Sequence, residues 1–191
     1  MKEISWPSFA KLVNGEIKEG KFDASDMVES IHNGWKICFD YFTLWSSKYC
    51  TRLTRVTVPF ISNDNFRFEI YEKSIFSSVA KIFGLQDIEI GDEKFDKRFI
   101  IKSNDELKIK SLLWNSNLRN AIEQLQNFNL QTSDQKGVWE EKLPENELEL
   151  SVYFEGEIHD CEILLKTRDM LMEIMNFLSK TKSVKQKKAY S

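Results

Sequence analysis

Residues 74–105 read SIFSSVAKIFGLQDIEIGDEKFDKRFIIKSND, and this stretch passes from helix to turn to strand without a spare residue. Ser74 is a residue type that caps helices, and the apolar residues after it recur at helical spacing until Gly84 ends the pattern. After an acidic turn, residues 99–101 form an apolar run that is typical of a buried strand. Residues 103–106 then match a capping box. The stretch therefore predicts a strand and two helices packed on a sheet.

The segments before this stretch predict an antiparallel sheet. Residues 35–41, 49–61 and 66–70 alternate apolar with polar residues or are rich in β-branched and aromatic ones, as strands are. The connections are short and contain turn residues, such as the Asn-Gly pair at 33–34, so we expect these strands to pair consecutively as a meander. A short helix is expected within residues 6–14, where a proline stands at the first turn.

The segments after this stretch predict further helices and a strand. Helical spacing covers residues 107–113 and 115–125. Residues 148–154 alternate strictly, so we expect a half-buried strand with one packed face and one solvated, acidic face. Residues 160–179 carry apolar side chains on one side and predict a long amphipathic helix.

These elements predict an α+β fold in which a mostly antiparallel, twisted sheet is packed by several helices, including the long C-terminal helix. We expect a single α+β domain over residues 1–179 and a basic, flexible tail over residues 180–191. One continuous core is expected to include Trp35, Ile37, Phe39, Phe66, Phe68, Ile70, Phe99, Leu150 and Val152.

Charge is distributed unevenly along the chain. The formal net charge is −3, but residues 180–191 hold five lysines and no acid, so the preceding 179 residues carry −8. An acidic body repels phosphates, which argues against nucleic acid as a partner.

Cysteine usage and hydropathy indicate the compartment. Cys38, Cys50 and Cys161 are an odd number without CxxC spacing, so neither a disulfide framework nor a zinc knuckle is indicated. No stretch approaches the roughly 20 apolar residues that a membrane helix requires. We therefore expect no transmembrane segment and a location in the reducing cytoplasm.

The acidic residues of the central stretch are the candidate metal ligands. Asp87, Glu89, Asp92 and Asp96 would offer oxygen atoms of the kind that calcium or magnesium prefers. Their spacing does not match an EF-hand, because the oxygen donors do not fall at alternate positions and no glutamate closes the loop. A solvated acidic turn is the alternative and the preferred interpretation.

Catalytic residues and cofactors are not predicted. His32 and His159 are the only histidines, and neither has a second metal ligand or a nucleophile at a recognisable spacing. Roles in a turn and at a helix start account for both.

Two surfaces are candidate binding sites. Lys48 and Arg52 share one face of a predicted strand near aromatic residues, an arrangement that would stack a base or hold a phosphate, although solvent-facing strand residues are the preferred alternative. Met172 and Met175 widen the apolar arc of the C-terminal helix, which would allow contact with a protein partner or a second copy of the chain. In the preferred alternative the helix lies in a groove of its own domain.

Part of the central stretch resembles a segment of an uncharacterised bacterial protein family, in which an acidic GD-x-x-FD turn precedes an F-x-I-x-S-x-D-E strand and helix cap. The matching positions are Asp87, Gly91, Asp92, Phe95, Asp96, Phe99, Ile101, Ser103, Asp105 and Glu106. The resemblance implies no known activity, so it assigns no functional residue.

The function predicted from the sequence is non-catalytic binding or protein interaction. An enzyme, or a small-ligand-binding protein with a pocket of an unfamiliar kind, is the alternative. A deep pocket with convergent polar groups of perturbed pKa would favour that alternative.

Overall fold

The computed structural model describes residues 5–20, 25–46, 49–73, 85–135 and 142–186. Helices and strands alternate irregularly along the chain, and the predicted α+β class is confirmed. The predicted helix from Ser74 to Gly84 lies outside the described residues.

The helices are α1 (Trp6–Leu12), α2 (Glu93–Arg98), α3 (Glu106–Leu113), α4 (Ser116–Glu123) and α5 (Cys161–Lys180). The strands are β1 (Glu16–Lys18), β2 (Met27–His32), β3 (Trp35–Ser46), β4 (Tyr49–Ser62), β5 (Phe68–Glu72), β6 (Gln86–Ile88), β7 (Phe99–Ser103), β8 (Phe128–Ser133), β9 (Glu147–Glu155) and β10 (Val184–Gln186).

The described strands form one antiparallel sheet in the order β1-β2-β3-β4-β9-β8-β5-β7-β6, with β10 added to β4. Asn33 and Gly34 both have positive φ angles and form the tight turn between β2 and β3, as their sequence predicts. The predicted pairing of β4 with β5 is wrong, because β9 and β8 lie between them. Strand β9 is longer than β5 and pairs with β4 instead, with Leu150 and Val152 directly opposite Val58 and Val56.

The hydrophobic core lies between the helices and one face of the sheet, which we call the helical face. The apolar buried residues of each described helix belong to this core, for example Phe9 of α1 and Ile109 of α3. All of the predicted core residues are part of it, namely Trp35, Ile37, Phe39, Phe66, Phe68, Ile70, Phe99, Leu150 and Val152. The strand registers read from the alternating pattern are therefore correct on this face.

Helix α5 lies deep in this core. It contacts β4, β9 and α4, and Met172 and Met175 are only 3% and 0% exposed. Both methionines therefore pack inside their own chain and do not form a binding surface on the folded protein. The apolar arc of α5 is wide because the helix is contacted on several sides. This agrees with the preferred prediction that the helix lies in a groove of its own domain.

Two local predictions around the central stretch need correction. The acidic turn contains the short helix α2, because the Asp92 side chain accepts a hydrogen bond from the backbone N–H of Phe95 at 3.2 Å. Helix α3 is capped by Asp105, which accepts from the N–H of Lys108 at 3.0 Å. Ser103 does not cap it, since its hydroxyl donates instead to the carbonyl oxygen of Arg67.

The chain remains folded beyond the domain boundary predicted at residue 179. Helix α5 continues to Lys180, and strand β10 then pairs with β4 through Val184 and Ser62. Ser183 is buried, and Asn63 donates its backbone N–H to the Ser183 carbonyl at 2.8 Å. The described part of the tail is thus held by backbone pairing, which its lysine-rich composition does not reveal.

Candidate functional site

The sheet has a second face, on the side away from the helices, which is polar and yet buried. We call it the polar face. Leu53, Tyr71 and Tyr153 are buried on it but do not belong to the helical core. No described helix packs its apolar residues there. Buried polar side chains need hydrogen-bond partners, so this face is the unusual surface of the molecule.

Two rows of directly paired residues cross the polar face from β3 to β7. The first row consists of Asp40, Arg55, Tyr153, Asn129, Tyr71 and Ile100. The second row consists of Cys38, Thr57, Ser151, Gln131, Glu69 and Lys102. Facing residues on neighbouring strands lie about 5 Å apart, so the polar groups of both rows form one continuous surface.

Arg55 and Asp40 form a two-pronged ion pair at one end of the first row. Arg55 donates from Nε to Oδ1 of Asp40 at 2.9 Å and from Nη2 to Oδ2 at 2.6 Å. The guanidinium also stands 5.0 Å from the centre of the Phe42 ring. Burial opposes its charge, but the hydrogen bonds and charge of Asp40 outweigh this effect and raise the pKa of Arg55. The arginine is therefore permanently charged, and its side chain also interacts with the Tyr153 hydroxyl.

Two side chains on the polar face have buried oxygen atoms without a hydrogen-bond partner, namely Oδ1 of Asn129 and Oε1 of Gln131. The Tyr153 hydroxyl, in contrast, interacts with the side chains of Ser151 and Arg55. The orientation of the Asn129 amide is set by its Nδ2 group, which donates to Glu69 at 2.8 Å. An unsatisfied buried polar group costs about 1–3 kcal/mol, so the two amide oxygens are costly in the ligand-free protein.

The Tyr153 phenol and the Cys38 thiol of this face keep their protons at neutral pH. Burial raises the pKa of the Tyr153 phenol well above its usual range, and the nearby Glu149 carboxylate adds to the rise. Burial likewise raises the pKa of the Cys38 thiol to about 12. General acids and bases work best with a pKa near the operating pH, so neither group is tuned for proton transfer.

The shifted pKa of Cys38 predicts slow alkylation. In a variant in which Cys50 and Cys161 are replaced by serine, we expect iodoacetamide at pH 8.5 to modify native Cys38 on the order of 1000-fold more slowly than in urea. The thiolate is the reactive species, and about half of an ordinary thiol is ionised at this pH. Mass spectrometry of timed samples measures both rates. Native and unfolded rates within about tenfold of each other would contradict the assignment.

Arg52 belongs to a different cluster, at the corner where β4 meets the loop before α5. Its Nε donates to Glu157 at 2.8 Å, and its guanidinium lies 5.5 Å from the centre of the Tyr41 ring. His159 joins the same cluster, with Nε2 3.4 Å from Glu157 and Nδ1 3.1 Å from the Tyr41 hydroxyl. Arg52 and His159 thus both contact the Glu157 carboxylate. Lys48, the predicted companion of Arg52, lies outside the described residues.

Glu157, His159 and Tyr41 contact one another in series, so the Tyr41 hydroxyl lies beside the His159 ring. A hydroxyl beside a histidine is one requirement of nucleophilic catalysis. Burial, however, raises the pKa of the Tyr41 phenol, with Glu157 adding to the rise and Arg52 opposing it. The hydroxyl is thereby held in its protonated form. Thr54 fixes the same loop, since its hydroxyl donates to the Gly156 carbonyl at 2.8 Å and accepts from the Ile158 N–H at 2.7 Å. These contacts anchor the start of α5.

The acidic candidates for metal binding have other partners. Asp92 caps α2 and pairs with Arg119 at 3.2 Å. Asp96 accepts hydrogen bonds from the backbone N–H groups of Ile90 and Gly91. Among the residues that the structure describes, no group of three histidine, cysteine or acidic side chains is placed to hold a metal ion.

The other two candidate acids lie at the edge strand of the sheet. Asp87 is 3.9 Å from Lys102, and Glu89 is exposed. Both border a groove of about 810 Å³ beside β6, together with Asp96 and the basic residue Lys110. The structure thus spreads the four candidates over a turn, a helix cap and a sheet edge.

The sequence contained a signal for the polar face, but an incomplete one. The alternation on β9 places Ser151 and Tyr153 on one side, which the sequence predicts to be solvated. Asn129 and Gln131 also recur at strand spacing on β8, but the sequence analysis assigns them no face. The burial of the polar face was missed because it depends on strands that are distant in sequence.

Comparison with known proteins identifies no relative: no protein family, curated protein or solved structure matched this chain. None of the helices in the described ranges is long and apolar enough to cross a membrane.

Proposed function

We propose that this chain is a non-catalytic binding protein and that its polar face holds a small polar ligand. The observation that supports this proposal is the continuous polar surface on three adjacent strands, contributed by Arg55, Tyr153, Ser151, Asn129 and Gln131, in which Oδ1 of Asn129 and Oε1 of Gln131 are buried without a hydrogen-bond partner. A ligand that hydrogen-bonds with these atoms would recover the free energy that they cost the empty protein.

The chemistry of the face favours binding over catalysis. Arg55 is held by Asp40, and the raised pKa values of Tyr153 and Cys38 keep both groups protonated. A site of this kind can recognise a molecule through fixed donors and acceptors. Neither the Tyr153 phenol nor the Cys38 thiol is tuned to exchange a proton near neutral pH.

We also propose a reducing compartment, the cytoplasm, as the place of action. Cys38, Cys50 and Cys161 are all free thiols, and Cys50 is exposed. Exposed free thiols are typical of proteins that are not in an oxidising environment, which supports this location.

Replacing Tyr153 with phenylalanine tests the proposed function. The change removes a buried hydroxyl that interacts with Ser151 and Arg55, from a side chain that is 2% exposed. We expect the free energy of unfolding of the ligand-free protein to fall by about 1 kcal/mol, because these interactions are lost. Urea denaturation followed by fluorescence measures it. In a thermal-shift screen of small polar metabolites, any compound that stabilises the wild type should stabilise this variant less.

Ser30→Ala is the matched control for the binding measurement. It also removes a buried hydroxyl, but Ser30 lies opposite Ile37 on the helical side of the sheet. The stabilisation by ligand should therefore be retained in this variant. A compound that stabilised the wild type and Tyr153→Phe equally would not bind at the polar face, and if every stabilising compound behaved in this way the proposed function would be refuted.

A further inference from the structure

We propose that the outer edge of strand β1 pairs with the same edge of a second copy of this chain, so that the two sheets join into one. The pairing is antiparallel and is centred on Ile17, through which a two-fold axis passes perpendicular to the sheet. This interaction surface lies at one end of the sheet and is independent of the proposed ligand. The order of charges along β1 and the apolar side chains beside it support the pairing.

Strand β1 is the first strand of the sheet and has a partner on one side. Glu16, Ile17 and Lys18 pair with β2, and none of the other described strands pairs with β1. Backbone N–H and C=O groups on its outer edge point away from β2, where a strand of another chain can pair with them. The Gly15 N–H donates to the Ala10 carbonyl of α1 at 2.8 Å and fixes the entry into β1. An edge that is already fixed in place loses little conformational freedom on pairing.

The charges of β1 are self-complementary in this register. In an antiparallel pair centred on Ile17, Glu16 lies opposite Lys18 of the second copy, and Lys18 lies opposite its Glu16. Within one chain, Nζ of Lys18 is already 2.9 Å from Oε2 of Glu16. Pairing keeps this contact and adds a cross-strand contact on each side of the axis. The four charges then form a closed ring of alternating sign, and such networks contribute more than an isolated exposed pair.

Two partly exposed apolar side chains lie beside this edge. Ile17 is 36% exposed, although it stands opposite Val28, which is fully buried in the helical core. In the dimer each Ile17 faces Ile17 of the second copy, about 5 Å away. Leu12 is 51% exposed at the end of α1 that leads into β1, and α1 packs against β1 and β2. Because the axis is perpendicular to the sheet, the α1 helices of both copies lie on the same face beside it, and pairing removes apolar surface from water.

The opposite edge of the sheet, at β6, lacks this complementarity. The side chain of Asp87, the central residue of β6, is 82% exposed. An antiparallel pair centred there would place Asp87 opposite Asp87 of the second copy, and like charges directly opposite each other are destabilising. A register that pairs Asp87 with Glu89 has the same defect. Pairing of β1 with β6 of another copy would leave one edge free at each end and build an open polymer, whereas the two-fold pairing of β1 closes after two copies.

Charge reversal in β1, followed by sedimentation equilibrium of the full chain, tests the pairing. We expect the wild type to dimerise with a Kd on the order of 100 µM, since small interfaces associate weakly. Glu16→Lys and Lys18→Glu should each weaken the dimer at least about tenfold, because like charges then face each other across the axis. An equimolar mixture of the two variants should recover the wild-type affinity within about fivefold, because each lysine again faces a glutamate.

Lys110→Glu is the matched control. It also reverses one charge of an exposed ion pair, on α3, where Lys110 is 2.6 Å from Glu106, and it should leave the Kd within about twofold of the wild type. The urea midpoint of each variant, measured where the wild type is monomeric, shows whether the fold is retained. The double exchange Glu16→Lys/Lys18→Glu keeps the ion pair within β1 and should dimerise like the wild type even if a single reversal disturbs the strand.

Four results would overturn the proposed pairing. They are a wild type that stays monomeric up to about 1 mM, a dimer that withstands both single reversals, a mixture of the two variants that stays monomeric, and a double exchange that fails to dimerise. Polymers that grow with concentration would also overturn it, because they indicate pairing between unlike edges.

Discussion

Replacing Asp40 with alanine is expected to lower the free energy of unfolding by about 3–5 kcal/mol. The change leaves the Arg55 guanidinium charged, with its side chain only 13% exposed and its two hydrogen bonds to Asp40 removed. An uncompensated buried charge is among the most costly defects that a single substitution produces. Urea denaturation at neutral pH, followed by circular dichroism, measures the loss.

The double variant Asp40→Ala/Arg55→Met provides the control for this prediction. Removing both charges eliminates the desolvation penalty, so the double variant should recover most of the stability that the single variant loses. A single variant that loses less than about 1 kcal/mol would show that Arg55 finds water or another partner when Asp40 is absent. In that case the Arg55–Asp40 ion pair would not be needed to stabilise this end of the polar face.

Replacing Phe68 with alanine is expected to lower the free energy of unfolding by about 3 kcal/mol. Phe68 is completely buried on the helical face, where its ring centre lies 5.5 Å from that of Phe66. The variant loses the transfer free energy of the ring and leaves a cavity that β5, paired on both sides, cannot close. The chemical-denaturation midpoint, measured with the slope, reports the change.

Leu107→Ala is the comparison for Phe68→Ala. Leu107 also has a large apolar side chain, but it is 82% exposed on α3. Its removal should change the free energy of unfolding by less than about 0.5 kcal/mol. An unchanged midpoint in Phe68→Ala, or equal effects of the two substitutions, would show that the register of β5 is wrong.

The helical face could be predicted because alternation and burial coincide there. Trp35, Ile37 and Phe39 alternate with polar residues, and apolar surface on one side of a strand has to pack. The same logic places the apolar arc of α5 against the sheet. Each of these predictions uses only residues that are close in the chain, and the structure confirms them.

The candidate site was predicted less well because its properties depend on pairs that are distant in the chain. Tyr153 stands between Arg55 and Asn129, and this neighbourhood exists only because β9 inserts between β4 and β8. The pairing of β5 with β4, expected from short connections, would not have created it. Arg52 and Arg55 point to opposite faces, as their spacing predicts, but the partner of each comes from another strand or loop.

The sequence by itself determined the α+β class, half of the described strands, most of the described helices and the residues of the helical core. Hydrophobic periodicity and turn residues can be read from a few neighbouring positions. When the apolar residues of an element lie on one side, that side has to be buried to avoid water. The tertiary structure alone decided the strand order, the burial of Met172 and Met175 and the enclosure of the polar face. A polar side chain such as Ser151 is equally compatible with water and with a buried partner, so only the strands beside it decide which environment it has.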